Sequence, residues 1–548
     1  MKAENIRQLL LDLVKIPSVS PSKEESRLAQ EIYDRLAALP YFKKNEGVLR
    51  LLPIEDDPYG RHSVFAIVRS PKKTPKTVIL LGHIDVVDTA EARELADLAF
   101  DPPAYTRELT KLTLPEEAME DLRSGDYLFG RGVFDMKCGV AVEIEFLKES
   151  AENPHDLEAN IALLLVGDEE NRSAGMISAI KHLERLQEEE GLDFVACVNA
   201  EGVAQRHHGD TNRYISVGTI GKLMPMFYCV GRESHVGSYY EGLNANLLAS
   251  AVSMVLEGSP EWIDRAGAEV YPPPAALWHR DLREVYSVTL PARVVAGFNV
   301  LTVEKTPKTA LEMMKQVAFR AFDMALERLK FSALKFSEGS PEKASVPWKP
   351  KVLTYEEVFE KVREDLAKEG ASLDEHLKAF IKGLPRDMDD RLKSIETAGQ
   401  VLRFYGDKDP AIIVGFLPPY YPHRSNLRKS PRELALMEAV EELISEAAFS
   451  YGETLVVREH FEAISDLSYM GFQGNKDDLV PLAANTPGWG EVYDLPLDTL
   501  LKLDVPVVNI GASGRDAHKY TERLDLKYYL GAYPDLFRSF VKRVSKMV

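Results

Sequence analysis

Cysteine is nearly absent: the 548 residues hold three, Cys138, Cys197 and Cys229. They are too few and too scattered for a disulfide framework or a cysteine-based zinc site. A reducing, cytoplasmic setting is the expectation that follows. Positive charge is also short, with 67 Lys and Arg against 86 Asp and Glu and a formal net charge of −19. A field of that sign repels phosphate backbones and anionic lipid headgroups, which argues against nucleic-acid and membrane partners. No apolar run approaches the ~18 residues a membrane helix needs. The N-terminus, MKAENIRQLLLDLVKIPSVS, spaces Ile6, Leu9, Leu10, Leu13 and Val14 at helical intervals with charges between them. That pattern lacks the unbroken apolar stretch of a signal peptide. Internal repeats and low-complexity tracts are missing too.

What is present is the composition of a folded protein, 45% hydrophobic and 28% charged, long enough for several domains. Helices are expected at about 3–15 and 23–39. Buried strands are expected at HSVFAIV (62–68), TVILLGHID (77–85), NIALLLVGDEE (160–170) and FVACVNAEG (194–202), with a helix from near Met136 through GVAVEIEFLKES. This alternation predicts an α/β layer with a mixed, largely parallel sheet flanked by helices. From about Arg213 longer half-buried strands, YISVGTIGKLMPMFYCVG and VYSVTLPARVVAGFNVLTVE, predict a separate α+β domain. Residues 337–352 read as a linker, and 354–400 as an amphipathic helical insertion with a solvated face. After AIIVGFLPPYYPH the first pattern resumes, with a helix at 431–448 and a strand at VPVVNIGAS (505–513). The expected organisation is a discontinuous catalytic domain, 1–212 and 420–548. It is interrupted by an inserted domain, 213–419, with a helical enlargement near 337–400.

Polar groups at strand ends carry the chemical signal. His83 and Asp85 lie two apart on a strand, so both leave the same face. Asp85 could fix the imidazole tautomer while the other ring nitrogen meets a metal; the pair reads equally as a structural hydrogen bond. Asp168, Glu169 and Glu170 end the next strand, and three adjacent carboxylates repel one another unless a cation or other donors compensate. A solvated acidic turn is the alternative. Glu201 ends the third strand, and the fourth leads into GASGRDAH with His518. Between them GRGVFDMKCG places Asp135 at a turn entering a helix; it is not the dinucleotide fingerprint, because the third glycine is out of place. Ligands of open α/β sheets bind beyond the carboxyl ends of the strands. Histidines and carboxylates gathered there form an N/O donor set suited to zinc.

In this order, GHIDVVD, GRGVFDMKCG, GDEE, NAEG and GASGRDAHKYTE resemble the signatures of the co-catalytic zinc metallopeptidases and deacylases. That family includes aminoacylase, glutamate carboxypeptidase and succinyl-diaminopimelate desuccinylase. The segments LPYF, SGDYLFGRGVFDMKCGVA and GFNVLT look most like its arginine-utilisation branch. The resemblance implies two zinc ions per chain, with cobalt or manganese as substitutes, bridged by Asp135. His83 and Glu201 would complete one site, Glu170 and His518 the other. Glu169 matches the general base, and Asp85 the carboxylate supporting His83. The inserted domain is similar to the family's lid and dimerisation domain. There SHVGSYYEGLNAN makes His235 and Asn244 candidates for contacting substrate, and a homodimer could form. The implied reaction is hydrolysis of an amide or peptide bond in a small N-acyl amino acid or short peptide. The competing reading, a non-catalytic metal-binding or regulatory descendant, needs loss of a ligand or of the base, and none is lost.

Three departures stand out. Val87 and Asp88 occupy the region where the family has a proline, and Cys138 replaces a glycine of the usual DMKGG. GFNVLTVEKTP lacks the arginine that grips a substrate carboxylate in many relatives; Arg293 is nearby as a substitute, or as a surface arginine.

Overall fold

The computed structural model describes residues 1–338 and 343–547. They form two compact units: Met1–Ile220, Arg424–Gln473 and Asp498–Val548 in the first, Gly221–His423 and Gly474–Leu497 in the second.

The first unit is built on an eight-stranded mixed sheet. Its order is Leu49–Pro53, His62–Val68, Asn160–Val166, Lys76–His83, Asp193–Asn199, Val507–Asn509, Arg213–Ser216, Leu455–Arg458. The four strands from Asn160–Val166 to Val507–Asn509 run parallel. Their carboxyl ends therefore share one edge, with His83 level with Val166. Every residue of Asn160–Val166 is buried, as a parallel strand covered on both faces requires. Helices Ala3–Val14, Lys137–Glu152, Pro431–Glu446 and Tyr533–Val544 contribute to the same core. In Ala3–Val14 the residues buried are Ile6, Leu9, Leu10, Leu13 and Val14, one face at i, i+3, i+4 spacing. Their burial contributes on the order of 10 kcal/mol before conformational entropy is subtracted. At the first turn of Lys137–Glu152, a Cβ on Gly139 would overlap the Ala200 carbonyl. Glycine thus lets this helix close onto the strand end that carries Glu201.

The second unit has a six-stranded sheet. Its path is Ala275–Asp281, Arg293–Thr302, Pro225–Val230, Ala411–Phe416, Val352–Thr354, with Gly221–Leu223 paired to Arg293–Thr302. Helices Tyr355–Lys368, Leu373–Lys382 and Asp390–Phe404 form the insertion. Its apolar side, with Val358, Val362, Leu377, Ile395 and Val401, packs against Met226, Tyr228 and Ile413 of the sheet. Tyr355–Lys368 begins at a capping box between Thr354 and Glu357, which satisfies helix donors that lack intrahelical partners.

Three stretches fall in the other unit from the one expected, the shortest being 420–423, which belongs to the second unit. Residues 213–220 belong to the first unit, because Arg213–Ser216 pairs parallel to Leu455–Arg458 in its sheet. The expected single strand over 214–231 breaks at Gly218, where a Cβ would meet the carbonyls of Arg424 and Glu459. Gly474–Leu497 joins the second unit: its helix Lys476–Ala484 packs on Pro307–Glu338, and the Tyr493 hydroxyl accepts the Tyr420 N–H at 3.0 Å. The expected strand over 285–304 begins only at Arg293. Of the expected linker 337–352, residues 339–342 lie outside the described residues. Among the described residues, no helix is long and apolar enough to cross a membrane.

Candidate active site

All of the expected metal donors come together at the carboxyl edge of the parallel strands. Asp135 stands at the centre: its Oδ1 lies 3.1 Å from His83 Nε2 and its Oδ2 lies 3.1 Å from His518 Nε2. His518 Nε2 is also 3.0 Å from Glu170 Oε2. Two donor triads result, His83 with Asp135 and Glu201, and Asp135 with Glu170 and His518, each within 4.8 Å. Glu201 is held by amides: Asn199 donates to its carboxylate at 3.1 Å, and the Asn509 side chain pairs with both its N–H and its carbonyl, at 3.0 and 2.9 Å.

The run Asp168–Glu170 resolves its own repulsion by dividing. The Asp168 carboxylate bonds Arg61 at 2.6 Å, whereas Glu170 takes part in a donor triad. The backbone follows the same logic, since each of the three N–H groups meets a carboxylate. Asp168 donates to Glu25 at 2.9 Å, Glu169 to Asp85 Oδ1 at 3.2 Å, and Glu170 to Asp85 Oδ2 at 3.0 Å. Asp168 adopts a φ of 70°, a left-handed conformation that L-residues other than Asn and Asp rarely take. Asp85 therefore has a larger role than orienting His83. The nearer acceptor for His83 Nδ1 is the Asp85 carbonyl at 3.2 Å, with the carboxylate at 3.7 Å.

The electrostatics are those of a cation site. Burial, then the Glu201 and Glu170 charges, push Glu169 well above the carboxylate range, with His83 opposing. Burial and Asp135 push Glu201 up to about 8. Against burial, hydrogen bonds from His518 and His83 hold Asp135 low. Bonds to Asp135 and Glu170 raise His518 to about 10. Protons thus do the work of positive charge among these carboxylates, and divalent ions would replace them. The N/O donor chemistry fits such ions.

Several participants escaped the sequence reading. Glu25 and Arg61 form a buried network with Asp57 and Asp168. Asp466 is buried beside the site and raised to about 7, first by desolvation, with Ser173 and His83 pulling it down. Glu522 accepts the N–H groups of Phe134 and Asp135. Glu522 lay inside the quoted GASGRDAHKYTE and offered a signal; Glu25, Arg61 and Asp466 sit in unremarkable contexts.

His235 and Asn244 belong to the second unit. The exposed His235 uses Nδ1 to accept the Gly237 N–H at 3.1 Å, and Asn244 caps helix Ala245–Leu256 by accepting the Asn246 N–H at 2.8 Å. Asp88 closes a local turn through the Ala90 N–H. Cys138 is fully buried, its thiol donating to the Phe134 carbonyl at 3.1 Å and raised by burial. Arg293 lies against the Tyr228 hydroxyl within the second unit.

A donor set of this kind on this sheet edge is that of a metal-dependent hydrolase. The family model described as Peptidase family M20/M25/M40 matches residues 79–481, and the chain belongs to that family. It is 33% identical over 545 residues to the uncharacterized protein YqjN of Bacillus subtilis (strain 168), covering 99% of this chain and 97% of that protein. It is 28% identical over 547 residues to Protein RocB of the same strain, covering 98% and 94%. Among solved structures, the M20 family metallo-carboxypeptidase Sso-CP2 of Sulfolobus solfataricus shares the fold, with a TM-score of 0.53, 13% identity and coverage of 98% and 99%. The protein is accordingly a hydrolytic enzyme of the metallopeptidase class.

Proposed function

We propose that the protein hydrolyses the amide bond of a small N-acyl amino acid or short peptide, with Glu169 as general base. Two divalent ions, zinc by preference, would be held by His83, Asp135, Glu170, Glu201 and His518. The observation that carries this reading is Asp135, each of whose carboxylate oxygens lies 3.1 Å from a different histidine, so that one side chain serves both triads. Ions bound there would lower the pKa of a water to about 7 and polarise the substrate carbonyl. Glu169, on the turn pinned by Asp85, takes a proton from the attacking water and returns it to the leaving nitrogen. His235 and Asn244 contact the substrate from the second unit, and the chain pairs as a cytoplasmic homodimer through that unit. The likeness to the arginine-utilisation branch supports a substrate linked to that metabolism.

The test is a screen of N-acyl amino acids and dipeptides with and without chelator. Hydrolysis should vanish in Glu169→Gln while metal stays bound. A zinc-replete wild-type chain that retains no metal overturns the reading. Mixing His235→Ala with Glu169→Gln chains should restore activity if His235 serves a neighbouring subunit; no recovery contradicts that sharing.

A further inference from the structure

We propose that Arg131 and Glu522 are positioning residues that fix the backbones of Asp135 and His518 relative to each other, and so set the spacing of the second donor triad. The inference rests on the metal-site reading above. Both side chains are buried, at 4% and 2% exposure. Glu522 Oε2 accepts from Arg131 Nη1 at 2.5 Å, and Oε1 accepts the N–H groups of Phe134 and Asp135 at 3.1 and 3.3 Å. Arg131 Nη2 donates to the His518 carbonyl at 2.8 Å. The connections cross. Arg131, on the segment leading to Asp135, holds His518; Glu522, on the segment leaving His518, holds Asp135.

Stability alone explains this pair poorly. A buried ion pair gains little over apolar side chains of the same volume, because desolvation offsets its Coulomb energy. Here Arg131 Nε is also buried without a hydrogen-bond partner, an added cost. Positioning explains where the contacts end. The His518 side chain is 53% exposed and its φ is 70°, so little packing holds the imidazole and its backbone anchor must. Arg131 supplies that anchor at the carbonyl of the same residue. Asp135 receives its own at the N–H, while both of its carboxylate oxygens remain for the histidines. Groups that orient ligands in this way typically govern metal affinity by about 10- to 100-fold.

The test titrates the full-length metal-free chain with cobalt(II), following calorimetry and visible absorption, for wild type, Glu522→Gln, Arg131→Lys and a control, Arg213→Lys. Arg213 forms comparable ion pairs with Glu453 and Asp525 but touches no donor. Wild type should take up two equivalents. Each of the two site variants should bind at least one of them about 10- to 100-fold more weakly and shift the ligand-field spectrum, with Arg131→Lys and Glu522→Gln together no worse than additive. The control should change neither readout, whatever its melting temperature. Wild-type affinity and spectrum in both folded variants overturn the proposal, as do losses matched by the control or failure of both variants to fold. If wild type binds no metal, the proposed function falls with it; if wild type binds two equivalents and the variants match it, only this inference falls.

Discussion

Asp85 accepts the backbone N–H of Glu170 through Oδ2 at 3.0 Å, while its Oδ1 takes that of Glu169 at 3.2 Å. One carboxylate therefore orients both the expected base and an expected donor. Asp85→Ala takes the carboxylate partner from two N–H groups in a half-buried turn, at up to about 1–3 kcal/mol each where water cannot replace it. Hydrolysis should fall by about 100-fold, mostly in kcat, with Asp85→Asn between the two because it keeps one carbonyl acceptor. Separate kcat and KM values check this; a change confined to KM contradicts it.

Arg61 is the only cation bonded to three buried carboxylates at once, Glu25, Asp57 and Asp168, among the described ion pairs. Removing one partner of a buried pair leaves an uncompensated charge, costing about 3–5 kcal/mol. Arg61→Met should therefore lower the urea unfolding midpoint sharply, and Glu25→Gln in the same chain should recover part of the loss. A change near zero in Arg61→Met would show that the network is not required for stability.

The central strands were legible as apolar runs, and three of the five donors stand at or just beyond their ends; Asp135 and His518 were legible only through the family signatures GRGVFDMKCG and GASGRDAHKYTE. An apolar run ends a parallel strand, and a charged residue directly after it has little to do except face the edge where ligands bind. His83, Glu170 and Glu201 follow that rule. Arg61 and Glu25 do not, since their contact with Asp168 joins segments far apart in the chain and neither side chain stands out locally. Residues 213–220 were misplaced for a related reason: Arg213–Ser216 and Pro225–Val230 both look like half-buried strands, and only the turn at Gly218 shows that they enter different sheets. Gly474–Leu497 carries its assignment in packing against Pro307–Glu338, which no local pattern records.

His182 gives a clean pH signature. It is 6% exposed, its ring sits edge-on to Phe65 at 5.0 Å, and burial, assisted by Arg50 and Arg185, lowers its pKa to about 4. Above its unfolded value of about 6.5 the imidazole is neutral in both states and adds no pH dependence. As pH falls through 6.5 towards 4 the unfolded chain binds a proton that the folded chain refuses, and stability is lost across that window. His182→Phe should lose less melting temperature than wild type between pH 7 and about 5. Parallel losses in the two proteins would contradict the assignment.

Cys138, despite standing three residues after Asp135 in the helix turn Met136–Gly139 and near the donors, is packed and raised by burial. Thiolate is the reactive form, so iodoacetamide should leave Cys138 unlabelled in the folded protein and label it after denaturation. Rapid modification of the native chain, read by mass spectrometry, contradicts this.

The most direct test of the account is the metal stoichiometry of the purified, zinc-replete chain beside its His518→Ala and Asp135→Ala variants. The shared position of Asp135 between two triads predicts two equivalents for wild type, one for His518→Ala, and weakened binding of both for Asp135→Ala. A single equivalent in wild type, or two tightly held equivalents in Asp135→Ala, would contradict it.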